Sequence, residues 1–345
     1  MAFSDAIKFN GVTSVFSDGI SNTLLLGVQD FLSYGFLGAG AFQNITRRNP
    51  PVSGIYSGEG LFYRYRLRPC DDPGYEYGQA WEGFRNDWVW ESGVSHKGAS
   101  PIPVSGVWVD DIFYKPIHDT YSHFIDYPNG RIIFDYPILD TSVVETSFTH
   151  RTVGVALASE KFVQETMFDS YKMEDLQTYL IASSGMRSQL GDRRLQLPFV
   201  ALELVQARKR DGYQLGGGQI VYNDILFHVF ADNEFEKNNI RDVILSQNEK
   251  TIYLPDRNLM KANTRPGGHK YPHQLDSNGS PVGSAVMYPF LVKPSGEGGF
   301  RLSTTRIDSV SCTDMEPVNS WLHRSTIRAT FSVIVGPKGN IGTPS

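Results

Sequence analysis

The chain has 345 residues, of which 40% are apolar and 20% charged, with a formal net charge of -5. That length accommodates one large or two ordinary domains with a substantial core. The mild acidity excludes a broadly basic nucleic-acid coat, though it leaves room for a local basic patch. Aromatic residues reach 12%, with 17 Tyr and 21 Phe beside 33 Gly and 19 Pro, a mix that suits strands and turns better than a helical bundle. Cys70 and Cys312 lie far apart and fit no metal spacing, so they read as free thiols. Met1-Ala2-Phe3-Ser4-Asp5 does not read as a secretion signal. No run approaches the roughly 18–20 apolar residues of a membrane helix.

Five segments emerge in chain order. Residues 1–51 form an N-terminal helix and hinge. Leu24, Leu25, Val28, Phe31 and Leu32 recur at helical spacing, with Ser21 or Asn22 as cap. This predicts a helix near 21–34, ending among Gly35, Gly38 and Gly40. It packs either on its own domain or, through Phe31 and Leu32, on a neighbouring subunit.

Residues 52–158 read as a β-rich domain resembling a small sandwich or barrel. Gly60 to Arg68 alternates, Trp88-Val89-Trp90 starts an aromatic strand, and Val104 to Tyr114 follows. Asn129-Gly130 sits between two strand-like runs of Tyr121 to Tyr136, a hairpin signal, and Pro128 makes its loop longer than two residues. Val143 to Ala158 supplies another strand or two. Residues 159–193 form a connector, with Met173 to Ser183 open to a helical reading.

Residues 194–336 read as an α+β unit. Leu197 to Arg208 and Ile220 to Ala231 are apolar strands, and a helix follows near 233–246, starting at Asp232 or Asn233. Its expected inner face carries Phe235, Ile240, Val243 and Ile244. Thr251 to Leu254 is a short strand, and Arg301 to Asp314 and Thr326 to Val335 are two antiparallel ones. The intervening 257–300 is a long Gly/Pro/His/Ser loop, and loops of that length usually serve a function or move. Residues 337–345 form a polar tail.

No constellation of catalytic residues stands out. His118/His123 and His269/His273 invite a metal reading, but neither pair sits on a helix that would align two ligands, so they read as solvated loop histidines. Asp110-Asp111 and Glu82/Glu91 lie near Trp81, Trp88, Trp90 and Trp108, as acids and aromatic platforms do at sugar sites. Adjacent residues on a strand point to opposite faces, so Asp110 and Asp111 are not themselves a catalytic pair. There is no Gly-x-Ser-x-Gly elbow, and Gly216-Gly217-Gly218 lacks the Gly-Lys-Ser/Thr ending of a phosphate loop. Arg208-Lys209-Arg210 is a basic cluster at a strand end, able to meet acidic patches or phosphates on a partner.

Tyr222-Asn223-Asp224-Ile225-Leu226-Phe227-His228-Val229-Phe230-Ala231, followed by Asp232-Asn233-Glu234 and a helix through Leu245, resembles the terminator-type proteins at the neck of tailed bacteriophages. Tyr121 through Asp135 is similar to hairpin segments of phage virion proteins. The resemblance implies a ring, six-fold in that family, that ends the tail tube and joins it to the head.

The resulting expectation is a β-rich α+β fold: an N-terminal helix, a sandwich- or barrel-like unit, and a C-terminal unit with a helix packed on an antiparallel sheet. The expected role is that of a non-enzymatic structural protein of the virion, without cofactor or metal. Its partners would be copies of itself and neighbouring neck, tail-tube or sheath proteins, with DNA only passing through a lumen and no membrane contact. Arg208, Lys209, Arg210, Phe31, Leu32, His269 and Tyr271 are the expected contact residues. A carbohydrate-binding β-sandwich, such as a receptor-binding tail component, is the alternative.

Overall fold

The computed structural model describes residues 20–47, 65–91, 93–169, 196–212, 219–255, 292, 301–315 and 322–335. The fold is β-rich α+β, with several antiparallel sheets and a curled, mixed half-barrel sheet that carries packed helices. The chain forms two compact units, and the division falls inside the first helix and again after Thr152.

That helix, α1 (Ile20–Gly38), closes at the glycines its sequence offers. The smaller unit takes the chain from Tyr34 to Thr152. Its strands are β1 (Phe42–Ile45), β2 (Arg68–Pro69), β3 (Ala80–Glu82), β4 (Val107–Val109), β5 (Ile112–Tyr114), β6 (His123–Asp126), β7 (Arg131–Phe134), β8 (Val144–Glu145) and β9 (Phe148–Arg151). They form sheets in the orders β2-β3-β7-β6, β5-β4-β8 and β1-β9. The β6–β7 hairpin pairs Asp126 with Arg131, leaving Tyr127-Pro128-Asn129-Gly130 as the loop. Gly130 takes φ 62°, and a Cβ there would meet the Arg85 carbonyl and Asn86 Cα at 2.5 Å.

Two strand expectations fail in this unit. Trp88, Val89 and Trp90 are all buried, yet they make only a single bridge, Trp88 to His150. Trp88 stacks on Phe148 at 4.4 Å and donates its indole N–H to the Arg85 carbonyl. Packing on every side, rather than alternation, accounts for their aromatic character. Asp110 and Asp111 are not strand residues. Both take positive φ, 47° and 70°, and form the two-residue turn between β4 and β5, a conformation Asp tolerates better than most residues.

The larger unit holds the first part of α1 together with β10 (Gly154–Leu157), α2 (Lys161–Asp169), β11 (Phe199–Gly212), β12 (Gln219–Ala231), α3 (Glu234–Leu245), β13 (Thr251–Pro255), β14 (Arg301–Asp314) and β15 (His323–Val335). The strand order is β10-β11-β12-β15-β14-β13, antiparallel except for β10 beside β11. The register shifts between Leu204 and Arg208 in β11 and between Ile307 and Ser309 in β14. Such bulges increase local twist, which curls the sheet. Met173 to Ser183, Gly216 to Gly218 and most of 257–300 lie outside the described residues.

Alternate residues of β12 face the helices. Phe227, with Ile307, Ala329 and Phe331, meets Val28 and Leu32 of α1 and Ile244 of α3 around one apolar crevice. Ser21 at the start of α1 donates to Asn223 Oδ1 at 3.1 Å. Phe230, on the opposite face, clusters with Phe199, Ala201, Ala156 and Val163 of α2. Phe199 and Phe230 stack at 4.7 Å.

Asn233 caps α3, its Oδ1 accepting the Glu236 N–H at 2.8 Å. The buried stripe is Lys237, Ile240 and Ile244, whereas Phe235 is 75% and Val243 40% exposed. The expected inner face was therefore half right. The aliphatic stem of Lys237 takes the core position, and its ammonium reaches out to within 4.0 Å of Glu234. Ile240→Asp should therefore cost several kcal/mol in urea unfolding, as an unpaired buried charge does, while Val243→Asp stays within about 0.5 kcal/mol of the parent. Gly130→Ala should cost about 1–3 kcal/mol by the same measurement, because its backbone is left-handed and its neighbours are backbone atoms.

Candidate functional site

The expected contact residues fall in different places. Leu32 is buried and Phe31 half-buried, both lining the crevice under α3, with the Lys250 ammonium 5.3 Å from the Phe31 ring. They pack within their own chain. Arg208, Lys209 and Arg210 pair with Asn223, Tyr222 and Val221 near the far end of β11, and Lys209 and Arg210 are exposed. His269 and Tyr271 lie outside the described residues.

The largest exposed apolar side chains of the smaller unit gather on loops that hydrogen-bond to one another. Ile117 is 78%, Leu139 75% and Tyr136 74% exposed, and Tyr77, Ile112 and Phe113 are exposed as well. After the Asp110-Asp111 turn, Ile112 is exposed while Phe113, its neighbour in β5, packs on Trp108. Asp110 is tied to Val143 by two hydrogen bonds, Ile138 N–H donates to Gly78, His123 N–H to Pro116, and Asp135 N–H to Ser122. These bonds link the loops of 76–79, 110–121 and 135–143 into one rim. Asp110, Asp111, Asp119, Asp135 and Asp140 stand exposed among the apolar groups, with Lys115 as an interleaved cation. The sequence reading missed this rim because its residues are scattered over loops and follow no periodicity.

The sugar-site geometry does not form. Trp81, Trp88 and Trp90 are 1–4% exposed. The ring of Trp108 is covered by Arg47 at 5.3 Å and Phe113 at 4.8 Å. Glu91 is fully buried, bound to Arg151 at 2.6 Å, and burial pushes its carboxyl up. Trp81, Trp88, Trp90 and Glu91 are therefore closed to a ligand, and Trp108 is half-buried.

A polar network crosses the face of the larger sheet opposite α1 and α3. His228 Nε2 lies 2.8 Å from the Glu203 carboxylate, and its Nδ1 lies 3.3 Å from Thr326 Oγ1 and 3.4 Å from Arg324 Nη2. Acid, imidazole and hydroxyl stand in the order that activates a nucleophile. However, Thr326 pairs with His228 on one side and Thr313 on the other. Its surrounding backbone N–H groups are engaged in the ladder and do not converge as oxyanion donors. Nearby, Asp224 accepts from Arg328 and Thr330. The network pairs polar groups across the sheet surface.

His118 is exposed, as expected, but His123 is not a loop residue. It is buried in β6 with Nδ1 at 2.8 Å from the Tyr121 carbonyl, packed against Phe134. Among the described residues no group of three or more His, Cys, Asp or Glu side chains is placed to hold a metal, and no helix is long and apolar enough to cross a membrane. Both cysteines are free thiols.

Burial is the main cause that lowers the pKa of His123 and of His228, with the Glu203 hydrogen bond opposing it at His228. The unfolded chain therefore binds more protons, and stability is full above the ordinary histidine value of 6.5 and lost as pH falls below it. Urea midpoints should drop between about pH 7 and pH 5, and a His123→Phe/His228→Gln chain should show a shallower drop. An equal slope in both chains would show that these histidines are not the acid-sensitive groups.

No protein-family model matches the chain, and no curated protein matches it.

Proposed function

We propose that this chain is a structural protein of a tailed-bacteriophage virion that assembles as a closed ring in the neck or tail-completion region, joining the head connector to the tail. The apolar, acid-studded rim of the smaller unit carries this reading. Ile117, Leu139 and Tyr136 expose most of their surface to water, and a clustered apolar surface of this kind marks a protein contact. Aromatic side chains at such a surface supply contact area with few rotors to immobilise.

The segment that resembles terminator-type proteins adds support. Its strand is β12, hydrogen-bonded on both sides, and its helix is α3, packed on β12, β14 and β15. The rim and this sheet are different surfaces of one chain. Copies joined through unlike surfaces close into rings when the rotation between them allows. Partners in this reading are further copies and adjoining neck, tail-tube or sheath proteins. The mild acidity of the chain suits a lumen that DNA passes without sticking.

Light scattering on the purified protein should give a mass several times 38.6 kDa, alone or with the neck proteins encoded beside it. Ile117→Lys/Leu139→Lys should keep the parent melting temperature, since both side chains are exposed, and should shift assembly to at least tenfold higher concentration (about 1.4 kcal/mol). A parent chain that stays monomeric at tens of micromolar, with and without those proteins, would contradict the proposal.

A further inference from the structure

We infer that the acidic, aromatic rim binds the basic edge of β11 on a second copy of this chain. This rests on the self-assembly reading above and names which surface meets which. β10 pairs only with Phe199 to Leu202. Among the described residues, 203–212 has no strand on its outer side.

That edge is built to refuse another strand. The register shift between Leu204 and Arg208 interrupts its ladder, and Lys209 and Arg210 stand exposed on its opposite faces, bracketing the edge with positive charge. Bulges and edge lysines are devices that prevent strand addition. The occupant of this edge is therefore a surface of side chains. Lys209 is engaged locally with Asp211 at 2.8 Å, but an exposed pair of this kind is held weakly and exchanges readily.

The rim has the opposite character. Asp119 and Asp140 are exposed beside Ile117 and Leu139. Its charges are opposite in sign to Lys209 and Arg210, and its apolar groups give the contact an area to desolvate. Charges of this kind orient partners and speed encounter more than they hold them together. Because rim and edge are different patches, each copy offers one of each. The contact is head-to-tail, as a closed ring requires.

Charge reversal tests the pairing. Lys209→Glu/Arg210→Glu and Asp119→Lys/Asp140→Lys are made separately and together, with circular dichroism and melting temperature as folding controls. Each double variant should assemble at least about tenfold less readily than the parent. An equimolar mixture of the two, and the chain carrying all four changes, should assemble again. Double variants that lose assembly without rescue in either form, or that assemble as the parent does, would overturn the pairing while leaving self-assembly intact. A β11 variant that assembles normally but loses binding to duplex DNA would assign the edge to phosphate instead. A monomeric parent would remove both readings together.

Discussion

β12 is the constraint on which the larger unit depends. It is hydrogen-bonded to β15 along its whole length, from Gln219 with Val335 to Ala231 with His323, and to β11 on the other side. At its C-terminal end both faces are covered, so Phe227 through Ala231 are buried without a break. Towards its start only the helix face is covered. There Val221, Asn223 and Ile225 are buried while Tyr222, Asp224 and Leu226 are half-exposed. The change from continuous burial to alternation along one strand follows from where α2 sits. The buried Asn223 accepts from Ser21 through Oδ1, which ties α1 to the sheet at a polar point, while its Nδ2 has no partner among the described residues.

A sheet tied this firmly separates stability from recognition. The core side chains are committed to α1, α2 and α3, and the polar groups around His228 and Asp224 bond mainly to one another within the sheet. In the proposed assembly, the surfaces left for partners are the interrupted edge of β11 in one unit and the rim around Ile117 and Leu139 in the other. Rigid elements presenting variable loops are the usual arrangement for binding surfaces. The chemistry of the two surfaces differs, one basic and extended, the other apolar and acidic, and this contrast suits contacts between unlike patches.

Much of the larger unit was legible because its signals are local and periodic. The strand of Ile220 to Ala231, the cap at Asn233, the pair of long C-terminal strands and the glycine-ended first helix all follow from spacing and turn chemistry. The β6–β7 hairpin followed from Asn129-Gly130, with Pro128 extending the loop. Where tertiary packing decides, the sequence misled. Trp88 to Trp90 read as a strand because they are aromatic, but each is buried by distant partners such as Phe148. Lys237 took a core place through its stem, which turned the register of α3 and left Phe235 outside. His123 read as a loop residue because burial between strands leaves no mark at a single position. The rim was invisible for a related reason. Its members are brought together by backbone hydrogen bonds between loops that the sequence separates by dozens of residues.

The account stands or falls on the chain being a building block placed between head and tail. Electron micrographs of the phage particles to which the proposal assigns it, labelled with an antibody raised against it, test that directly. The account predicts label confined to the collar where the tail meets the head. Label spread over the head surface, at the distal tip of the tail, or absent from the particle would contradict it.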